Sequence, residues 1–219
     1  ETFLNVMPLV TFSTVLIGSD GHVLSTGVNG GGHVTPHAGS YPAGNLEVEA
    51  VPESGWSFRR WEGGLTGSTN PYTLNLSANA FVFARFYDDA LADFVVLAAS
   101  TDVASGVRGD PVPVAWGVEN YGGETAAAAW KDGVYLSTDE AWDEEDLFLG
   151  DETQASALTE MNTYEESLEV DIPDVAPGRY WLLVKVDSED SVEEGVETVE
   201  DNTAVAGELL VLDPELSNE

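Results

Sequence analysis

The chain has 219 residues and no cysteine. Disulfide staples, thiol catalysis and cysteine-based zinc sites are therefore excluded. Basic residues are nearly as scarce. Lys131 and Lys185 are the only lysines, and with five arginines they face 40 acids, for a formal net charge of −33. Such a chain repels nucleic acid and anionic membrane, and its natural partners are cations, water and basic surfaces. Apolar runs of about 18 residues are missing, so no membrane insertion is expected. Gly-x-Ser-x-Gly, His-Glu-x-x-His and a phosphate loop are missing too. Carboxylates are so abundant that any two could be named as glycosidase acids, and their presence alone signifies nothing. The chain is read as no enzyme.

What remains is a folded acidic protein. The hydrophobic fraction is 43%, with six Trp, seven Tyr and eight Phe, enough to build packed cores. The charge is uneven. Residues 1–91 hold 8 acids and 3 bases, while residues 92–219 hold 32 acids and 4 bases. The shift near residue 91 is the first sign of two domains. Extreme acidity with scarce lysine also suits a saline, halophilic habitat, where salt screens self-repulsion. The chain opens at Glu1 without a starting Met or a basic leader, and the expectation is a mature, exported product at the cell surface.

Period-two alternation is common, and helical periodicity is almost absent. Leu46, Val48 and Ala50 alternate with Glu47, Glu49 and Val51. Tyr72, Leu74 and Leu76 alternate with Thr73, Asn75 and Ser77. Phe81, Phe83 and Arg85 alternate with Val82, Ala84 and Phe86, a strand expected to be covered on both faces. Turn signals such as Asn29-Gly30-Gly31-Gly32 and Thr69-Asn70-Pro71 separate these segments. In the second half, strands are expected near 93–100, 111–119, 131–137, 146–150, 163–172, 178–187 and 204–212. About seven strands with Gly, Pro and Asp turns between them fit an Ig-like sandwich. The fold class is all-β: a small β-rich module, then an Ig-like β-sandwich, with an extra N-terminal strand. The expected divisions are 1–21 as an N-terminal extension, 22–90, 91–213, and 214–219 as an acidic tail.

Two stretches resemble known families. Val28-Asn29-Gly30-Gly31-Gly32-His33-Val34-Thr35-Pro36, Gly55-Trp56, Trp61-Glu62-Gly63-Gly64 and Ala84-Arg85-Phe86 resemble the bacterial internalin-B-type repeat. That resemblance implies a small β module strung along surface proteins, with no catalytic residues to transfer. Pro113–Gly122, Trp130–Asp139 with its Val134-Tyr135-Leu136-Ser137-Thr138-Asp139 stretch, Pro177-Gly178-Arg179-Tyr180 and Glu200-Asp201-Asn202-Thr203 resemble CARDB. That family is an Ig-like bacterial domain linked to cell adhesion. This chain is more acidic than expected of it, above all from Asp139 to Asp146.

Six groups of residues are candidates for function. The loop carrying Ser137, Asp139, Asp143 and Asp146 could fold its oxygens toward one point and take Ca²⁺, which wants six to eight oxygens at ~2.3–2.6 Å. It lacks EF-hand spacing, and a solvated acidic loop is the alternative. The run from Asp187 to Asn202 is read as a solvated hairpin, and His33 and His37 as exposed turn residues. Trp56, Trp61, Trp116 and Trp181 are expected in the core. Trp130 and Trp142, flanking the acidic loop, are expected to be freer, with Trp142 the candidate for glycan contact. Asn75-Leu76-Ser77 is the one N-glycosylation acceptor motif, and Asn75 points away from Leu74 and Leu76.

The last group is the uncharged, β-branched run from Met7 to Ile17, including Leu9, Val10, Phe12, Val15 and Ile17. It is either one more strand of its own domain or a strand that pairs with a neighbour. The second reading makes the chain a subunit of a surface filament or matrix, partnered by itself as a homopolymer or by other surface components. The competing reading is a monomeric adhesion or glycan-binding module stabilised by calcium.

Overall fold

The computed structural model describes residues 21–194 and 202–213, and divides the chain into two compact units, Glu1–Ala90 and Leu91–Glu219. Every regular element among the described residues is a strand.

The first unit has seven strands: β1 (His22–Asn29), β2 (Gly32–Thr35), β3 (Gly39–Tyr41), β4 (Gly44–Pro52), β5 (Trp56–Gly63), β6 (Tyr72–Leu76) and β7 (Ala80–Asp88). They form a four-stranded sheet in the order β3-β1-β7-β5 and a three-stranded sheet in the order β2-β4-β6. β1 and β7 pair in parallel, the other neighbours antiparallel. The period-two pattern puts Val48, Ala50, Leu74, Leu76, Val82, Ala84 and Phe86 inside, with Leu24, Val34 and Trp61. The Gly run between β1 and β2 has a packing cause. Gly30 has φ of +87°, while Cβ atoms at Gly31 and Gly32 would lie 2.4 Å from Trp56 and 2.5 Å from Phe86. Asn70 closes the far side by acting as a strand partner. Its Oδ1 accepts from Ala50 N at 2.9 Å, and its Nδ2 donates to Ala50 O at 2.7 Å. The β7 strand is covered on one face rather than two. Phe81 is 39% exposed, and Phe83 and Arg85 are only half-buried.

The second unit has eight strands: β8 (Phe94–Ser100), β9 (Ser105–Gly106), β10 (Pro111–Asn120), β11 (Trp130–Ser137), β12 (Leu147–Gln154), β13 (Thr163–Asp171), β14 (Gly178–Lys185) and β15 (Thr203–Val211). One sheet runs β13-β10-β8, the other β12-β11-β14-β15-β9. Their inner faces interdigitate. Phe94, Val112, Val114, Trp116, Val118 and Val170 from one meet Trp130, Val134, Leu136, Leu182, Val184 and Leu209 from the other. Trp130, expected to be freer, is 1% exposed and stacks 4.8 Å from Phe94. The alternation Trp130, Asp132, Val134, Leu136 turns it inward. Trp181, expected in the core, lies on the other face of β14 and is half-buried, because Tyr180, Leu182 and Val184 take the inner positions.

Candidate functional site

The loop from Thr138 to Asp146 leaves β11 and folds through short turns. Ser137 is buried, and its Oγ accepts from Asp139 N at 3.1 Å. Asp139 Oδ1 accepts from Ala141 N at 2.8 Å, and Asp143 Oδ1 from Glu145 N at 2.7 Å. Asp146 Oδ2 accepts from Asp143 N at 2.9 Å. Each Asp thus gives one oxygen to the loop's own backbone, the local bonding typical of Asp in turns. Asp143 and Asp146 share one turn, and Asp139 caps a different one. Among the described residues no group of three or more His, Asp or Glu is placed to hold a metal ion.

The loop also lays Trp142 on the outer face of the five-stranded sheet. Tyr135 lies edge-on to Trp142 at 5.9 Å and to Phe148 at 5.5 Å. Lys185 Nζ sits 4.2 Å from the centre of the Trp142 ring and 3.1 Å from Asp190 Oδ1. Phe148 is 50% exposed, so this aromatic group is open at the β12 edge.

The second acidic run begins as a built loop. Asp187, with φ of +45°, is buried, and its Oδ1 accepts from Ser191 N and Oγ. Its Oδ2 accepts from Val192 N at 2.7 Å. Glu194 joins the start of β8 to the foot of β15. Oε2 accepts from Phe94 N at 2.7 Å and Oε1 from Asn202 Nδ2 at 2.9 Å. Burial, with the like charges of Asp93 and Asp187, pushes the Glu194 carboxyl up to about 7.

Two buried polar residues that sequence reading passed over hold the sandwich together. Asp132 Oδ2 accepts from Trp116 Nε1 at 3.0 Å and Tyr164 OH at 2.5 Å, and Oδ1 from Asp187 N at 3.3 Å. Burial pushes its carboxyl up and raises the Tyr164 phenol as well. Asn120 Oδ1 accepts from Asp93 N and Gly122 N, while Nδ2 donates to Glu124 O and Leu158 O. One side chain thus staples three segments. The signal was a polar residue in register with an apolar stripe: Asp132 among Trp130, Val134 and Leu136, and Asn120 after Val118.

Of the other candidates, Asn75 is exposed on β6. His33 and His37 are exposed with ring centroids 6.0 Å apart. The run containing Leu9, Val10, Phe12, Val15 and Ile17 lies outside the described residues. A shallow depression of about 580 Å³ crosses the outer face of the three-stranded sheet, lined by Leu97, Ala98, Ala115, Gly117, Thr163 and Ser167 among others.

A small two-sheet β module followed by an Ig-like sandwich, its conspicuous polar residues used as staples, defines the class of modular β surface domains. Residues 22–90 match the family model described as the divergent InlB B-repeat domain, and residues 91–205 match CARDB. The chain belongs to the CARDB family. Both modules are adhesion-like, non-catalytic and associated with cell-surface proteins. No curated protein matches. Among solved structures, the chain is similar to the CARDB domain of a Pyrococcus furiosus protein in complex with di-metal ions. Identity is 19%, over 56% of this chain and 90% of that one, with a TM-score of 0.41. It is similar to a domain of a Methanosarcina acetivorans protein provisionally assigned to the cell surface, at 18% identity over 59% and 99%, TM-score 0.41. A β-glucosidase from Erythrobacter marinus is similar at 14% identity over 55% of this chain and 16% of its own, TM-score 0.37. Among the described residues no helix is long and apolar enough to cross a membrane.

Proposed function

We propose that this chain is a non-catalytic structural and adhesive component of a cell surface. In this reading it assembles into filaments by giving the apolar strand within residues 7–17 to a neighbouring copy. The observation that carries the reading is the contrast between that run and the rest of the chain. Eleven residues without a charge precede two acidic β modules in a chain of net charge −33. An apolar strand of this length is an aggregation hazard unless a sheet takes it up. Strand addition supplies main-chain hydrogen bonds for affinity and alternate side chains for register. Head-to-tail donation does not close on itself, so it grows a fibre. The carboxylates of exposed Asp139 and Asp143, with half-buried Asp146, would face outward, where Ca²⁺ could bridge neighbouring subunits.

Negative-stain electron microscopy of the purified chain, with calcium and with chelator, beside a deletion of residues 1–17, tests this. Filaments that vanish with the deletion are expected, and their response to chelator reports the calcium bridge. Single particles in every condition would sink the filament reading.

One observation favours a second reading. The group formed by Tyr135, Trp142 and half-exposed Phe148 is the kind of aromatic platform that a monomeric glycan-binding module would present.

A further inference from the structure

We infer that Tyr135, Trp142 and Phe148 form an aromatic slot that binds an organic cation of the quaternary ammonium class, a trimethylammonium head such as that of choline. This goes beyond strand donation. It needs no second copy, and it uses the aromatic group that a glycan-binding module would otherwise present.

Strand alternation sets the slot. On β11, Val134 and Leu136 point into the core, so Tyr135 stands on the outer face of the five-stranded sheet. Its ring lies down over Gly133, where an added Cβ would come 2.7 Å from Tyr135 Cε2 and 3.0 Å from the hydroxyl. One ring face thus rests on the Gly133 backbone, which turns the other away from the sheet. Phe148 is the direct partner of Tyr135 on β12, and its ring stands at 64° to the Tyr135 ring. Trp142 stands at 78° and has Lys185 of β14 against it. β11 lies between β12 and β14, so the two steep rings flank Tyr135 from opposite sides.

Charge decides the ligand. Lys185 Nζ, 4.2 Å from the centre of the Trp142 ring, already shows a cation held by this group, and Asp190 neutralises it at 3.1 Å. Lys131, the only other lysine, is bound to Glu189 at 2.8 Å and Asp151 at 3.7 Å. Two lysines thus meet three carboxylates here, and the loop from Asp139 to Asp146 adds six more acids. The Tyr135 phenol senses this: burial raises it most, and the charges of Asp151, Asp190 and Glu189 add to the rise. Rings in a negative field attract a positive ligand. Calcium wants a shell of oxygens, which rings do not supply. A primary amine needs acceptors for its N–H groups. A quaternary ammonium has no N–H, and its charge is spread over methyl groups that pack against rings.

The test is titration of the full chain with choline, followed through the indole and amide NMR shifts of Trp142. About 0.5 M sodium chloride screens loose counter-ion binding to the acidic surface. Neopentylcarbinol, the uncharged carbon isostere of choline, is titrated alongside. Choline is expected to shift the Trp142 signals saturably and to bind about tenfold or more tightly than the isostere. Phe148→Ala changes no charge and lies at a half-exposed position. It is expected to weaken choline by about fivefold or more, with thermal melting to establish that the variant folds. Equal binding of choline and the isostere would reduce the slot to apolar contact and overturn the proposal. Unchanged choline binding in Phe148→Ala would reveal an adventitious counter-ion only, and would overturn it too. So would a failure of choline to shift Trp142; if cellotetraose shifts it instead, the glycan reading stands in its place.

Discussion

A carboxylate whose four hydrogen-bond donors are all uncharged sits in the sandwich core. Asp132 takes hydrogens from Trp116, Tyr164, Gln154 and the backbone of Asp187. Burial raises its carboxyl, and the donors pull it back. Asp132→Ala would leave the indole of Trp116, the phenol of Tyr164 and the Asp187 amide without their acceptor. Stability of the second unit should fall by about 3 kcal/mol or more, read from urea unfolding. Glu194 gives a pH prediction. Its carboxyl is raised from 4.5 to about 7 in the folded chain, so between those values the native state binds more protons than the unfolded one. Stability falls as pH rises through that window, by up to about 3 kcal/mol. The contribution is fully present below 4.5 and lost above 7. Glu194→Gln, which resembles the protonated acid, should flatten the melting temperature of the second unit between pH 5 and 8 relative to the parent. An identical pH slope in both proteins would show that Glu194 does not titrate there.

At the scale of elements, the chain's alternation is legible wherever one face is apolar. The strands of the second unit fall within a residue or two of the expected positions, except β12. That strand was expected to end at Gly150 but runs to Gln154, because Asp151 and Glu152 resemble loop until the neighbouring strand is known. Pairing of β11 with β12 places Asp151 opposite Gly133, with Lys131 Nζ 3.7 Å from its carboxylate. The two-residue β9 has too little pattern to be seen. The acidic loop is ambiguous for a physical reason: Asp residues three and four apart look like cation ligands, yet each can equally satisfy a turn amide, and composition cannot choose between the two. Glycines separate more cleanly. Gly32→Ala would set a methyl 2.5 Å from the Phe86 ring, itself 4% exposed, so the first unit should lose about 1–3 kcal/mol. Gly117→Ala would meet nothing closer than Tyr164 O at 3.8 Å, an ordinary contact, with no positive φ, and should stay within about 0.5 kcal/mol of the parent. Thermal melts of the two variants side by side separate packing glycines from tolerant ones.

For the whole molecule, the governing fact is that 32 of the 40 acids lie in residues 92–219, against 4 bases. All four bases are already engaged: Arg108 with Asp174, Lys131 with Glu189, Arg179 with Glu208 and Lys185 with Asp190. Most of these pairs are exposed at the surface, and such contacts contribute little each. The net −28 of this unit is therefore opposed by solvent ions alone. At about 0.01 M salt the screening length is roughly 30 Å, long enough for all these acids to repel one another, and at 1 M it shrinks to about 3 Å. Salt weakens the few ion pairs as well, but four attractions are outnumbered by the repulsions it removes. The second unit should gain stability between those concentrations, and each kcal/mol regained raises its midpoint by about 4 °C or more. The first unit, with 8 acids and 3 bases in residues 1–91, is the internal control. Calorimetry of the chain in rising sodium chloride should move the acidic unit's transition upward well ahead of the other. Equal movement of both would assign the effect to salt acting on apolar surface, and would remove charge repulsion as its cause.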